Sequence, residues 1–140
     1  MAESVLVDAG FIVALLSRRD THHKWAASQA RRHPPPWKTC DAVLFESFHL
    51  LGEAGRAPLA ALLRRDALVP AFTLRDNLDD VLRLLEKYAS VPASFADACL
   101  VRMTETFPAP VLLTTDTDFR VYRRHGRQVI PTAMPAASSS

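Results

Sequence analysis

The sequence predicts an α/β sandwich on a mainly parallel sheet, and three observations carry that expectation. Short apolar runs such as SVLVD, LVPAFT and VLLTT alternate with longer stretches of helical periodicity. The runs are continuously apolar, as in strands covered on both faces. At 140 residues the chain fits one compact domain with a core that needs no disulfide or structural metal. We expect that domain to span residues 1–131, followed by a disordered tail over 132–140, where TAMPAASSS shows no periodicity.

In chain order, SVLVD reads as a short buried strand ending at Asp8, and AGFIVALLSR as a helix packed back on it. Asp20 or Thr21 caps the next helix, HHKWAASQARRH, which stops at Pro34, Pro35 and Pro36. Thr39 caps CDAVLFESFHLLGEAG, closed by Gly52 and Gly55, and APLAALLRRDA forms another short helix. LVPAFT follows as a strand whose proline favours an edge or a strand end. TLRD has the capping-box form before NLDDVLRLLEKYA, where Leu78, Val81, Leu82, Leu85 and Tyr88 keep helical spacing. SFAD is a second capping box and opens the helix ACLVRMTETF. The strand VLLTT, a short helix around DFRVYRRH, a turn at Gly126 and a last strand RQVIP complete the chain.

Composition narrows the class. A hydrophobic fraction of 49% with 23% charged residues is ordinary for a soluble globular protein, which removes collagen-like and wholly disordered chains. The longest apolar runs, such as FIVALL, fall far short of the ~20 residues of a membrane span, so no membrane partner is expected. No basic-then-apolar leader opens the chain, and a cytoplasmic location is the expectation. Cys40 and Cys99 lack zinc-site spacing and sit in helical apolar patterns, so they read as small core residues with reduced thiols. The net charge of +2 does not by itself imply a nucleic-acid partner. Arginines nevertheless cluster at Arg18 and Arg19, Arg31 and Arg32, Arg64 and Arg65, then Arg120, Arg123, Arg124 and Arg127. Guanidinium suits phosphate, although a solvated helix face is the plainer reading of any single pair.

Open parallel sheets bind ligands at the carboxyl ends of their strands. Asp8 and Asp116 each stand at such an end, and each also reads as a turn residue or helix cap. Asp97 fills the acidic position of the SFAD capping box, a structural role sufficient in itself. Glu46 is flanked by Val43, Leu44, Phe48, Leu50 and Leu51, which predicts a buried carboxylate that must be paired with arginine, protonated or bound to a cation. If these four acids converge, their all-oxygen donor set suits Mg²⁺ or Mn²⁺ better than zinc. Without a cation their repulsion raises the carboxylate pKa values; with one, the site suits phosphodiester hydrolysis. A phosphate-cradling glycine loop, a GxSxG elbow and an HExxH motif are all missing.

VLVDAGFIVALLSRRDTHHKWA, the segment bearing Glu46, SFADACLV and LLTTDTDF together resemble PIN-domain proteins, and more narrowly the VapC-like ribonucleases of bacterial toxin-antitoxin systems, from Val5 to about Pro131. The resemblance implies a PIN-like three-layer α/β/α sandwich with a central mainly parallel sheet. It implies a metal-dependent endoribonuclease in which Asp8, Glu46, Asp97 and Asp116 are catalytic and hold one or two Mg²⁺ or Mn²⁺ ions. In that scheme Asp8, Asp97 and Asp116 bind the metal, Glu46 positions a metal or its water, and Asp118 is an accessory ligand through water or orients Thr114 or Thr115. Arg18, Arg19 and Arg120 would contact the RNA backbone. The same resemblance implies a homodimer and a small antitoxin protein as partner. Three alternatives stay open: a stand-alone nuclease acting on DNA or structured RNA, a non-catalytic RNA-binding module whose acids only cap helices, and a phosphate-transfer receiver domain.

Overall fold

A computed structural model describes residues 2–91 and 93–136. From the N-terminus the elements are β1 (Ser4–Val7), α1 (Ala9–Leu16), α2 (His23–Arg32), β2 (Trp37–Thr39), α3 (Asp41–Arg64) and β3 (Leu68–Pro70). A 3-10 turn (Leu74–Asn77), α4 (Leu78–Lys87), α5 (Phe95–Thr106) and β4 (Pro110–Leu113) follow. A second 3-10 turn (Thr117–Arg120), then β5 (Arg123–Arg124), β6 (Gln128–Val129) and β7 (Thr132–Ala133) end the described chain. The main sheet has the order β3-β2-β1-β4-β7, and every pairing in it is parallel.

The expected α/β class holds, with helices flanking a central parallel sheet. Continuous apolar strands explain why: Leu6, Val7, Leu112 and Leu113 are fully buried, and each buried leucine contributes roughly 1.5–3 kcal/mol. Phe11 ties α1 to α2 and β2 through edge-on contacts with Trp25 at 6.1 Å and Trp37 at 5.4 Å. The order also contains a switch. From β1 the chain moves outward to β2 and β3, then returns to pair β4 on the other side of β1. A crevice opens where crossovers diverge in this way, at the carboxyl ends of β1 and β4.

Several local expectations are corrected. The segment Trp37–Thr39, not expected as a strand, is β2; three residues are too few to show a periodicity. Thr39 is no helix cap, because its hydroxyl donates to the Val7 carbonyl at 2.9 Å, and Cys40 occupies the cap position of α3 without a side-chain bond. The two helices expected on either side of Gly55 are one kinked element, α3, with the break at Gly52 (φ 65°, ψ −159°). Gly55 stays helical, and an added Cβ there would sit 2.2 Å from Leu51 Cβ, so the position has no room for a side chain as packed. Asp20 accepts from the His22 amide at 2.8 Å, so α2 starts later than a cap at Asp20 or Thr21 requires. TLRD forms a 3-10 turn with no side-chain cap at Thr73. SFAD is the capping box expected, and β3 with its proline is the edge strand expected.

At the C-terminal end, the expected strand RQVIP is reduced to Gln128–Val129, which pairs antiparallel with β5 in a separate two-stranded ribbon. The fifth sheet strand is Thr132–Ala133, paired with Leu112 and Leu113. Thr132 and Ala133 belong to the segment expected to be a disordered tail, and as a strand they carry the ordered chain past Pro131; residues 137–140 lie outside the described residues. Cys40 and Cys99 are buried free thiols, as expected. No helix among the described residues is long and apolar enough to cross a membrane.

Gly52 occupies a backbone region open almost only to glycine, and nothing lies within 4 Å of an added Cβ. Gly52→Ala therefore tests the kink without a steric clash. We expect about 1–3 kcal/mol of lost stability in urea unfolding; an unchanged midpoint would show that α3 accommodates a straight path.

Candidate acidic active site

β1 and β4 run side by side in register, Val7 opposite Leu113, so the residues that leave them, Asp8 and Thr114, come together at one edge of the sheet. The Asp8 amide donates to the Leu113 carbonyl at 3.1 Å. Asp8 caps α1 through Oδ1, which accepts from the Ala9 amide at 2.7 Å. Its Oδ2 accepts from the Thr114 hydroxyl at 2.8 Å. Thr114 Oγ1 in turn accepts from the Asp116 amide at 3.0 Å. One buried hydroxyl thus links the first acid of the sheet edge to the loop carrying another.

Asp116 caps the following 3-10 turn, its Oδ1 accepting from the Asp118 amide at 2.8 Å. Asp97 lies in the first turn of α5 within a complete capping box: the Ser94 hydroxyl accepts from the Asp97 amide at 3.0 Å, and Asp97 Oδ2 accepts from the Ser94 amide at 3.3 Å. The same Oδ2 accepts from the buried Tyr122 hydroxyl at 3.0 Å. Tyr122 is wedged against Tyr88 and Phe119 at ring distances of 5.0 and 5.2 Å. Burial and the nearby acidic charges push its phenol further up, so it stays a donor to Asp97.

Asp8, Glu46, Asp97, Asp116 and Asp118 line one cavity of about 360 Å³, with Gly10, Leu50 and Thr115 among its other walls. The four acids singled out in the sequence are therefore brought together, and Asp118 with them. The cavity is not lined by Arg18, Arg19 or Arg120, which are all exposed. Glu46 corrects the sequence expectation: it is exposed, as are its neighbours Phe45 and Leu50. The apolar residues around it on α3 do not close over it, because this part of the helix borders the cavity and its opening. Asp118 does not orient Thr114, whose hydroxyl is committed to Asp8 and the Asp116 amide.

Tyr122 and Gly10 carry no functional signal in the sequence, where Tyr122 reads as an ordinary aromatic of a short helix; Thr114, expected beside Asp118, is held by Asp8 instead. Gly10 is a close-approach residue: an added Cβ would lie 2.1 Å from Thr115 Oγ1, so the start of α1 and the exit from β4 meet there only without a side chain.

The electrostatics are one-sided. None of the ion pairs among the described residues includes a cavity acid, which removes arginine pairing as the partner of Glu46. Asp8, 7% exposed, is pushed up from 3.8 to about 6, chiefly by burial, with the charges of Asp97 and Glu46 adding and its hydrogen bonds from Thr114 and Ala9 opposing. Asp97 is also raised, first by burial, against the bonds from Ser94 and Tyr122. Carboxylates held this way favour a proton or a cation. Asp97 Oδ1, Asp116 Oδ2 and both oxygens of Glu46 and Asp118 accept no hydrogen bond among the described residues, leaving an oxygen donor set of the kind hard divalent ions take. As placed, no three His, Cys, Asp or Glu side chains among the described residues are close enough to form a finished ligand set. The donor chemistry fits such an ion, and coordination requires the side chains to draw in.

A family model described as PIN domain matches residues 5–125. Among solved structures, VapC20 of Mycobacterium tuberculosis, described as a sarcin-ricin loop cleaving toxin, superposes with a TM-score of 0.72 at 24% identity, over 84% of this chain and 94% of that one. No curated protein matches this chain. At that identity the likeness to VapC20 is one of fold.

The raised Asp8 pKa makes a stability prediction for the metal-free protein. Between about 4 and 6 the folded state holds a proton that the unfolded chain has released, so stability falls as pH rises through that window. Ionised Asp8 then costs about 2–3 kcal/mol at pH 7. Asp8→Asn in EDTA should melt higher than wild type at pH 7, and the advantage should vanish towards pH 4. Equal melting at both pH values would show that Asp8 carries no such penalty.

Proposed function

Because this chain belongs to the PIN-domain family, we propose that it is a Mg²⁺- or Mn²⁺-dependent endoribonuclease that hydrolyses RNA phosphodiester bonds, the toxin of a type II toxin-antitoxin pair. The observation that carries the reading is the meeting of five carboxylates, from four separate parts of the chain, in one cavity at the sheet's switch point with no ion-pair partner among the described residues. A purely structural set of helix caps has no reason to face one cavity. The fold shared with VapC20, described as a sarcin-ricin loop cleaving toxin, supports RNA as the substrate class. The nuclease spans residues 1–131 extended by β7, and its partners are RNA, a small antitoxin and a second copy of the chain, in the cytoplasm.

Asp8, Asp97 and Asp116 would hold the ion, with Asp118 as an accessory ligand. A divalent cation bound there supplies charge for the phosphate and lowers the pKa of water. The protein's own part is orientation. Asp97 is held by Ser94 and Tyr122 through Oδ2, which leaves Oδ1 without a hydrogen bond among the described residues. Asp116 is held through Oδ1, which leaves Oδ2. Asp8 is fixed at both oxygens by the Ala9 amide and the Thr114 hydroxyl, and its second lone pairs remain for a ligand. Glu46, on an exposed stretch of α3, would position the attacking water, and Leu50 gives the mouth an apolar wall.

Purified protein should cleave a labelled RNA pool with Mn²⁺ or Mg²⁺, fail in EDTA, and leave matched DNA intact. Asp97→Asn and Asp116→Asn should each lower the rate by on the order of a hundredfold or more, the scale of a lost electrostatic or general-base contribution. Undiminished cutting by both variants would overturn this assignment, and preference for DNA would reassign the substrate. Tyr122→Phe keeps the ring and loses only the bond to Asp97. We expect Mn²⁺ affinity, read by electron paramagnetic resonance, to weaken by about 10–100-fold, as for other groups that orient metal ligands; unchanged affinity would make Tyr122 purely structural.

A further inference from the structure

No Asp or Glu follows Asp118 in the chain, whereas Arg120, Arg123, Arg124, His125 and Arg127 do. This run forms the β5–β6 ribbon and the turn leading into it, apart from the main sheet. The ribbon is anchored from below. Arg124 donates through Nε and Nη2 to the Thr104 carbonyl at the end of α5, and the His125 amide donates to Glu105 at 2.7 Å. Lys87, at the end of α4, donates to the Gly126 carbonyl at 3.2 Å, and the Arg123 amide donates to the Tyr88 hydroxyl at 2.9 Å.

These bonds sort the cations. Arg123 is occupied by the carbonyls of Arg120, Val121 and Tyr122, and Arg124 by Thr104 and Gln128. Arg120 and Arg127 are exposed, and among the described residues their guanidinium groups make no hydrogen bond or ion pair. Arg120 ends the 3-10 turn capped by Asp116, four residues on, or about 8 Å at that helix's rise. Thr104, where the ribbon is pinned, lies seven residues after Asp97, about 10 Å along α5. The cationic ribbon is therefore rooted about 8–10 Å from Asp116 and Asp97 of a cavity whose acids repel phosphate.

The geometry points to the β5–β6 ribbon as an RNA-backbone arm, in which Arg120 and Arg127 hold phosphates flanking the one in the acidic cavity while Arg123 and Arg124 brace the ribbon. The inference rests on the RNA-cleaving reading above and extends the backbone contact from Arg120 to Arg127. An acidic cavity needs such an arm, because the substrate's other phosphates must be attracted from outside it.

The test is binding of a fluorescein-labelled single-stranded RNA of mixed sequence, followed by anisotropy in EDTA so that no cleavage occurs, over a salt series. The Arg120→Ala/Arg127→Ala variant should bind on the order of tenfold more weakly, and its salt slope should fall by about 1.4, two contacts at about 0.7 each. Its thermal midpoint should match wild type, since neither side chain holds the fold. Arg31→Ala/Arg32→Ala removes the same charge at the exposed end of α2 and should leave both quantities unchanged. Equal losses in the two variants, a wild-type slope in the ribbon variant, or no RNA binding by wild type at low salt would each overturn the arm. Cleavage by wild type with Mn²⁺ is scored separately: its absence would sink the nuclease reading, whereas cleavage with a dispensable ribbon would sink only the arm.

Discussion

The Thr114 hydroxyl joins the two halves of the site, and the rest of the acidic cavity is arranged around that bond. It has one proton to give and lone pairs to receive. It gives the proton to Asp8 Oδ2 and receives the Asp116 amide, so its polarity is fixed by its neighbours. The contact exists because β1 and β4 are adjacent, parallel and in register, though 106 residues separate Asp8 from Thr114. A one-residue slip in that pairing would turn Thr114 to the opposite face and break the link.

Most acids of the cavity serve twice. Asp8 caps α1, Asp116 caps the turn after β4, and Asp97 completes the capping box of α5. Capping orients a carboxylate cheaply, since the backbone amides that fix it would otherwise lack partners. It leaves the negative charge unrelieved, and burial first, with the neighbouring acids adding to it, raises the pKa of both Asp8 and Asp97. Structural duty and chemical readiness are not rival explanations of these residues; the first sets the aim of the second.

Helix α5 also organises charge at longer range. Its N-terminal turn carries Asp97, and its C-terminal carbonyl at Thr104 receives the Arg124 guanidinium. Both placements agree with the helix dipole, negative groups at the start and positive at the end. An acidic cavity and a basic ribbon are thus held at opposite ends of one rigid, largely buried rod.

The sequence by itself determined the α/β class, the parallel sheet, the SFAD capping box and three of the acids that meet, Asp8, Asp97 and Asp116, because apolar runs, caps and strand ends are local patterns. It was misled where local pattern and tertiary setting diverge. The apolar neighbours of Glu46 predicted burial, yet Phe45 is 79% and Leu50 57% exposed beside the cavity. Thr39 had the residue type of a cap, but the parallel neighbour Val7 offered its carbonyl first. The length of β2, the place of β7 and the roles of Gly10, Thr114 and Tyr122 were decided only by the tertiary structure. Each depends on a partner far away in the chain, and a hydroxyl or a missing Cβ acquires its function from the atom it meets in the fold.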